Sequence, residues 1–336
     1  MNEYHFTKLN KREQAFYHRV IDSIRQSEFT VKALPFMDTD SITRVVKAIN
    51  YDHPELFYVD FRHLNFYGTP MGVTYQINYL VKSALRKTAI EEAEERIATI
   101  ITSSQKAHLK DDYDKCRWIH NYLVKNTRYN HDALRQPDSY PDAFTVIGAL
   151  TERSAVCEGI SKTFKLLCDR LGVESLIAFG TSSLEGLGEG IPHAWNIVKL
   201  DGEYTHIDVT WDIGVSEPCR HTRFDYFCLS DNQIRLDHVF DDFPNCQTET
   251  LSFFRKRNRE FNSNNQLQKY LEAELKKDTS VLYFKVTGSK YSSEVLTKRI
   301  QETVNKAVAS NQEGSYFFEM APNEKQRCYF FRITNQ

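Results

Sequence analysis

No apolar run in this chain of 336 residues approaches the roughly 20 residues that cross a bilayer, so no membrane-spanning helix is expected. The opening stretch, MNEYHFTKLNKREQAFYHRV, lacks the apolar core that a secretory signal needs. Charge of one sign is scarce too. A net charge of −2 gives no electrostatic case for nucleic acid or an anionic membrane as partner. Seven cysteines, an odd number at irregular spacing, build no disulfide framework and point to a reducing, cytoplasmic setting. Repeats and low-complexity tracts are missing. Aromatics, by contrast, are plentiful: 22 Phe, 18 Tyr and 3 Trp are enough for a substantial core. With 41% hydrophobic and 26% charged residues the chain reads as globular, and its length calls for more than one folding unit.

Three segments are expected. Residues 1–108 read as mainly helical, because 9–26 and 87–101 carry apolar positions at helical spacing. ALPFMDTD and YDHPELFYVDF, punctuated by Pro and Asp, read as loops with short extended pieces. The second segment, 109–246, opens with a helix over about 111–125. It continues with a strong helix over 157–171, a strand at 174–180, a Gly-rich loop at 180–190 and a hairpin. The third, 247–336, follows the polar stretch KRNREFNSNNQLQK, which fits a linker or a charged helix. There VLYFKV, a helix near 291–309, SYFFEMA and RCYFFRIT predict a small β-α-β-β module. The fold class is therefore α+β.

The hairpin is HAWNIVKLDGEYTHIDVTWD, His193 to Asp212. Asp201-Gly202 between alternating runs is a strong signal for a two-residue type I′ turn. That turn sets Leu200 opposite Glu203, Trp195 opposite Asp208 and His193 opposite Thr210. His193, Trp195 and Asp208 then share the more polar face, with the Cβ atoms of His193 and Asp208 of order 7 Å apart. Two readings stay open at this point: a buried His–Asp pair in a half-polar sheet, or two members of a catalytic set.

A third member is at hand in SAVCEGISKTFKLLCDRLG. Cys157, Ile160, Phe164, Leu167, Cys168 and Leu171 follow helical spacing, and Gly172 is placed to end the helix. Cys157 falls in the first turn, where unpaired N–H groups and the helix dipole favour a thiolate. Cys168, in the last turns, reads as a small core residue. A cysteine at a helix start with His and Asp nearby is an arrangement for nucleophilic catalysis.

VCEGIS, PHAWN and HIDVTWD, in that order, resemble the three signature blocks of the transglutaminase-like superfamily, papain-related enzymes with a Cys-His-Asp triad. IHNYLVKNTRYN (119–130) and YFCLSDNQI (226–234) are similar to its bacterial branch. The resemblance covers roughly residues 110–240. It implies a core in which a helix bearing the cysteine packs on an antiparallel sheet bearing His and Asp. It also implies Cys157 as nucleophile, His193 as general base and Asp208 as the carboxylate that orients the imidazole. The backbone N–H of Cys157 would serve an oxyanion hole, and the aromatic second donor that the resemblance implies has Tyr129 as its candidate. Trp195 is a candidate to line the cleft. Where the family carries a small residue after the glycine of the first block, this chain has Ile160.

The activity implied is that of a cysteine-dependent amide-bond enzyme working through a thioester. Hydrolysis of a peptide or protein substrate is favoured over protein crosslinking by transfer to lysine. A catalytically silent peptide-binding module is the rival of another class. No cofactor or metal is expected: Cys116 with His120, and Cys219 with His221, each lack a second pair at zinc-site spacing. GTSSLEGLGEG (180–190) lacks the order of a dinucleotide or phosphate loop and reads as a mobile cleft edge. EEAEER (91–96) reads as a solvated helix face.

Overall fold

The computed structural model describes residues 3–335 apart from 36, 70–71, 185–187, 278, 289–291 and 312–315. Two compact units are present, Met1–Thr181 with Pro192–Gly202, and Ser182–Ile191 with Glu203–Gln336. These edges differ from the limits expected at 108/109 and 246/247.

In the first unit the helix Lys11–Arg25 opens with a capping box. The Asn10 side chain accepts from Glu13 N, and the Glu13 side chain accepts from Asn10 N. Its buried stripe, Phe16, Tyr17, Val20 and Ile24, belongs with Ile42, Val45 and Ile49 of the helix Thr39–Asp52. The expected loop YDHPELFYVDF instead runs into a long strand, Val59–Thr69. That strand pairs antiparallel with Gly72–Tyr79 in a three-stranded sheet completed by Thr30–Lys32. Pro54 and Asp60 punctuate the sequence, but Val59, Tyr75 and Ile77 are buried in this sheet, and that apolar burial outweighs the loop signals.

The helix Asp112–Asn126 begins at Asp111, whose carboxylate accepts from Asp114 N. The helix Cys157–Leu171 ends as its sequence predicts. Gly172 takes φ +72°, and Val173 N donates to Cys168 O at 2.9 Å. The strands Ser175–Leu184 and Gly188–Leu200 are sheet neighbours. The stretch expected as a Gly-rich loop is therefore strand at 180–184 and 188–190, while 185–187 lie outside the described residues.

In the second unit a four-stranded sheet takes Glu260–Phe261, Val281–Val286, Cys328–Asn335 and Tyr316–Asn323, in that order, with the helix Ser293–Asn311 between strands in the chain. Leu282, Phe284, Ile300, Val304, Tyr329 and Phe331 lie in its core. The expected β-α-β-β module is present, extended by the helix Asn264–Leu275 and the short strand Glu260–Phe261. Among the described residues no helix is long and apolar enough to cross a membrane.

The two-residue turn holds: Asp201 has φ +53° and Gly202 φ +85°, the left-handed pair of a type I′ turn. The second arm of the hairpin is shorter than the alternation implies. Its strand is Glu203–Ile207, and Val209–Cys219 is a helix. The facing pairs expected beyond Ile207, Trp195 with Asp208 and His193 with Thr210, are thereby corrected. The cause is Asp208 itself, whose Oδ1 accepts from Trp211 N at 3.1 Å and caps the new helix. Replacing Gly202 with Val, a β-branched residue in left-handed backbone, should lower stability by about 1–3 kcal/mol. Urea unfolding checks this, and wild-type stability would show that the turn does not set the strand.

Candidate active site

The first turn of the helix Cys157–Leu171 is built for close approach. A Cβ at Gly159 would lie 2.3 Å from Ala143 O and 2.8 Å from Thr145 O, so only glycine lets the chain at 143–145 lie against the turn. Val156 N donates to Ala143 O at 3.0 Å at the same place. The N-cap is Val156, in extended backbone, and no side chain caps the helix. A poor N-cap costs roughly 1 kcal/mol against Ser or Asp. It leaves the first N–H groups, Cys157's among them, without a side-chain oxygen over them. Such a terminus favours negative charge on a side chain or on a bound oxygen.

Cys157 differs from the other cysteines in access. All seven are free thiols, six are buried, and Cys157 alone is partly exposed. Burial pushes the Cys168 thiol well up, and does the same for Cys228 and Cys328. These are core residues, as expected for Cys168. Ile160 is buried too, so the departure from a small residue faces the core.

One turn on, Ser161 fastens this helix to the strand that carries His193. Ser161 Oγ donates to Ala194 O at 3.0 Å, and Asn196 Nδ2 donates to Ser161 O at 3.0 Å and to Leu176 O at 3.4 Å. All three groups are buried, and each bond contributes on the order of 1 kcal/mol net while an unmade one costs more. The strand residues flanking His193 and Trp195 are thus fixed to the helix begun by Cys157. His193 is nearly buried, with its ring stacked on the fully buried Trp195 at 5.8 Å and 17°. The indole restricts the imidazole's rotation. Tyr129, in a two-residue strand paired parallel with Ser154–Ala155, packs against the buried cluster of Ala133, Ala143 and Val156.

Asp208 belongs to the second unit and is fully buried. Its N–H donates to Tyr226 O at 2.9 Å, and its Oδ2 lies 3.0 Å from His238 Nε2. Around it is a cluster of acids that the sequence pattern did not single out. Asp212 accepts from Tyr226 N at 3.1 Å. Burial, with the nearby Asp225 and Asp208 carboxylates, pushes the Asp212 carboxyl well above the usual range. Asp225 is held by Arg223 Nη2 at 2.5 Å and by Tyr283 OH at 2.6 Å. Asp237-His238 lies just past YFCLSDNQI, and that short Asp-His pair was the only signal that could have found it. Ser161 and Asn196 stand inside the quoted blocks, but nothing in their spacing announces a fastening role.

His206, Asp231 and Cys246 place one donor atom each within 4.8 Å of one another, a set that could hold a metal ion. His206 Nε2 pairs with Asp231 Oδ1 at 2.9 Å, Cys246 N donates to Asp231 Oδ2 at 2.9 Å, and burial pushes the Cys246 thiol up, away from the thiolate a metal needs. Burial lowers the His206 imidazole despite the Asp231 bond that raises it. For Asp231 burial works upward, but the bonds from His206 and Cys246 hold it below the usual carboxylate range.

Residues 100–209 match the family described as the Transglutaminase-like superfamily, a span that includes Cys157, His193 and Asp208. The kyphoscoliosis peptidases of Mus musculus and Homo sapiens are 28% and 27% identical over 154 residues, 43% of this chain. The match spans 22% of the length of each of these curated relatives. A solved structure described as that of a TGase aligns over 54% of this chain and 50% of its own, at 16% identity and a TM-score of 0.30. The transglutaminase-like resemblance read from the sequence blocks is borne out over residues 100–209.

Gly159→Ala should destabilise the protein by roughly 2 kcal/mol or more, since the clash is with backbone oxygens that cannot swing away; a melting temperature equal to wild type would contradict the close approach. The His206–Asp231 pair gives a pH dependence with a defined sign. Both groups bind protons more readily unfolded than folded, so their stability is present at neutral pH. It declines as pH falls below about 6.5. Thermal melts from neutral pH to about pH 5 should show this decline, with a shallower slope in His206→Gln. Equal slopes would remove His206 from the account.

Proposed function

We propose, from the transglutaminase-like core at residues 100–209, that the chain is a cysteine-dependent amide-bond enzyme using Cys157, His193 and Asp208. The observation that carries this reading is the partly exposed Cys157 thiol. It is the one of seven not buried, at an uncapped helix start hydrogen-bonded one turn later to the strand bearing His193. The chemistry follows from those groups. The Cys157 sulfur attacks the carbonyl carbon of a peptide or protein amide while His193 takes the thiol proton. The oxyanion formed is held by the N–H groups of the helix start, with Tyr129 as a second donor. Collapse breaks the C–N bond, the imidazolium gives its proton to the leaving amine, and an acyl-thioester remains on Cys157. Water, deprotonated by His193, then releases the acid. Asp208 keeps the imidazole in the tautomer and orientation that both steps need, and Trp195 limits the ring's freedom through the observed stacking.

Hydrolysis is favoured over acyl transfer to lysine because both curated relatives are named peptidases. Peptides or proteins are the substrates, and a cytoplasmic setting suits a thiol enzyme with no disulfide. The absence of a lost triad residue favours an enzyme over a silent binding module.

Incubating wild type and Cys157→Ala with a cell lysate and a tagged amine, followed by proteomics, separates the outcomes. New peptide termini formed only by wild type are expected. Amine incorporation instead would make the chain a crosslinking enzyme, and identical digests from the two proteins would leave only the binding module. Asp208→Asn should cut the cleavage rate by roughly two to four orders of magnitude; an unchanged rate would remove Asp208 from the triad.

A further inference from the structure

His238 opens the short strand His238–Val239 of the second unit and is fully buried, a position with no role in the triad. Its ring lies between two carboxylates. Nδ1 is 2.6 Å from Asp237 Oδ1 and Nε2 is 3.0 Å from Asp208 Oδ2, and none of the three side chains is exposed to solvent. An ionised carboxylate only accepts, so the ring nitrogen that faces Asp208 serves that carboxylate as an N–H donor in the tautomer protonated there. The outer carboxylate is itself fastened: Tyr226 OH donates to Asp237 Oδ2 at 2.8 Å, and Gln326 Nε2 to the same oxygen at 3.2 Å. The ring is further confined by Trp211, 4.9 Å away and tilted 47°, and by Tyr226 at 6.1 Å. Asp208 is thus gripped on both oxygens, Oδ1 by Trp211 N and Oδ2 by His238.

We propose that His238 is a positioning residue for the reaction, holding the Asp208 carboxylate through its Nε2–H in the rotamer and the ionised state that the triad requires. The inference rests on the reading of Asp208 as the carboxylate that orients His193. Its physical basis is the cost of an unbonded buried carboxylate, which turns toward another donor or takes up a proton. The neighbourhood makes that cost concrete. Asp208, Asp212, Asp225 and Asp237 are all buried in this unit, with Arg223 committed to Asp225. Burial, with the nearby acids, already pushes the Asp212 carboxyl up, and the ring at 238 offers Asp208 Oδ2 a donor that favours its charge. Through the Asp237–Tyr226–Gln326 bonds the ring is itself preorganised, so the grip is available without reorganisation at the moment of reaction.

The rival account is that His238 serves the fold alone by satisfying Asp237. Two amide replacements separate the accounts. The Gln Nε2 reaches the position of the ring Nε2 and keeps the donor to Asp208, whereas the Asn Nδ2 sits near the ring Nδ1 and keeps the donor to Asp237. The readout is the rate at which iodoacetamide alkylates Cys157 in the full chain at neutral pH, followed by peptide mapping. Wild type, H238Q, H238N and D208N are compared below the lowest of their measured melting temperatures. The expected result is that H238N slows alkylation roughly tenfold, approaching D208N, while H238Q retains most of the wild-type rate. A purely structural role lowers the melting temperatures of both His238 variants and leaves their alkylation rates alike, whether both fast or both slow. That result overturns the proposal, as does a slow H238Q beside a fast H238N. If D208N itself alkylates like wild type, the triad reading fails and this inference falls with it. If D208N is slow and the two His238 variants agree, the triad stands and only His238 loses its role.

Discussion

The attachment of the helix Cys157–Leu171 to the strand Gly188–Leu200 is the constraint on which the rest of the first unit's chemistry depends. Ser161 and Asn196 make it, exchanging bonds with Ala194 O, Ser161 O and Leu176 O in a region from which water is excluded. Because these groups are buried, a slipped alignment would leave polar atoms unbonded at a cost of about 1–3 kcal/mol each. The proposed nucleophile and base would need fixed separation, and buried backbone-directed bonds fix it more firmly than surface pairs. The glycine after Glu158 serves the same end, admitting the chain at 143–145 where any side chain would collide.

The second unit solves a different problem, that of keeping carboxylates where apolar burial disfavours them. Arg223 and Tyr283 hold Asp225, and His238, Tyr226 and Gln326 share Asp237. Asp212 is driven toward the neutral form. Asp208 stands in this group as a helix cap, so the residue read as an orienting carboxylate also starts the helix Val209–Cys219. That capping bond explains why the strand stops at Ile207 rather than running on to Asp212. Burying several acids together is destabilising in itself, and such groups are tolerated where donors are supplied in full.

Much of this was legible in the sequence, for reasons that differ by element. The helix beginning at Cys157 and its end at Gly172 follow from apolar spacing and from the left-handed residue that closes it. The Asp201-Gly202 turn was equally clear, since few dipeptides accept two positive φ values. Strand alternation places facing residues only as far as Ile207, where the second arm gives way to a helix. A short alternating run does not distinguish a strand from a capped helix start when Asp stands at the boundary. The paired strands Val59–Thr69 and Gly72–Tyr79 were hidden by Pro and Asp nearby. His238, Asp212 and the fastening bonds of Ser161 and Asn196 were not legible, because each depends on a partner far along the chain and carries no local pattern.

The central claim is that Cys157 forms an acyl-thioester. Its most direct measurement is mass spectrometry after acid quench, with a proteolytic digest of cell lysate as acyl donor. The account predicts peptide adducts that map to Cys157 in wild type, are released by hydroxylamine, and are missing in Cys157→Ala. Adducts on another residue, or none while new peptide termini still form, would contradict it.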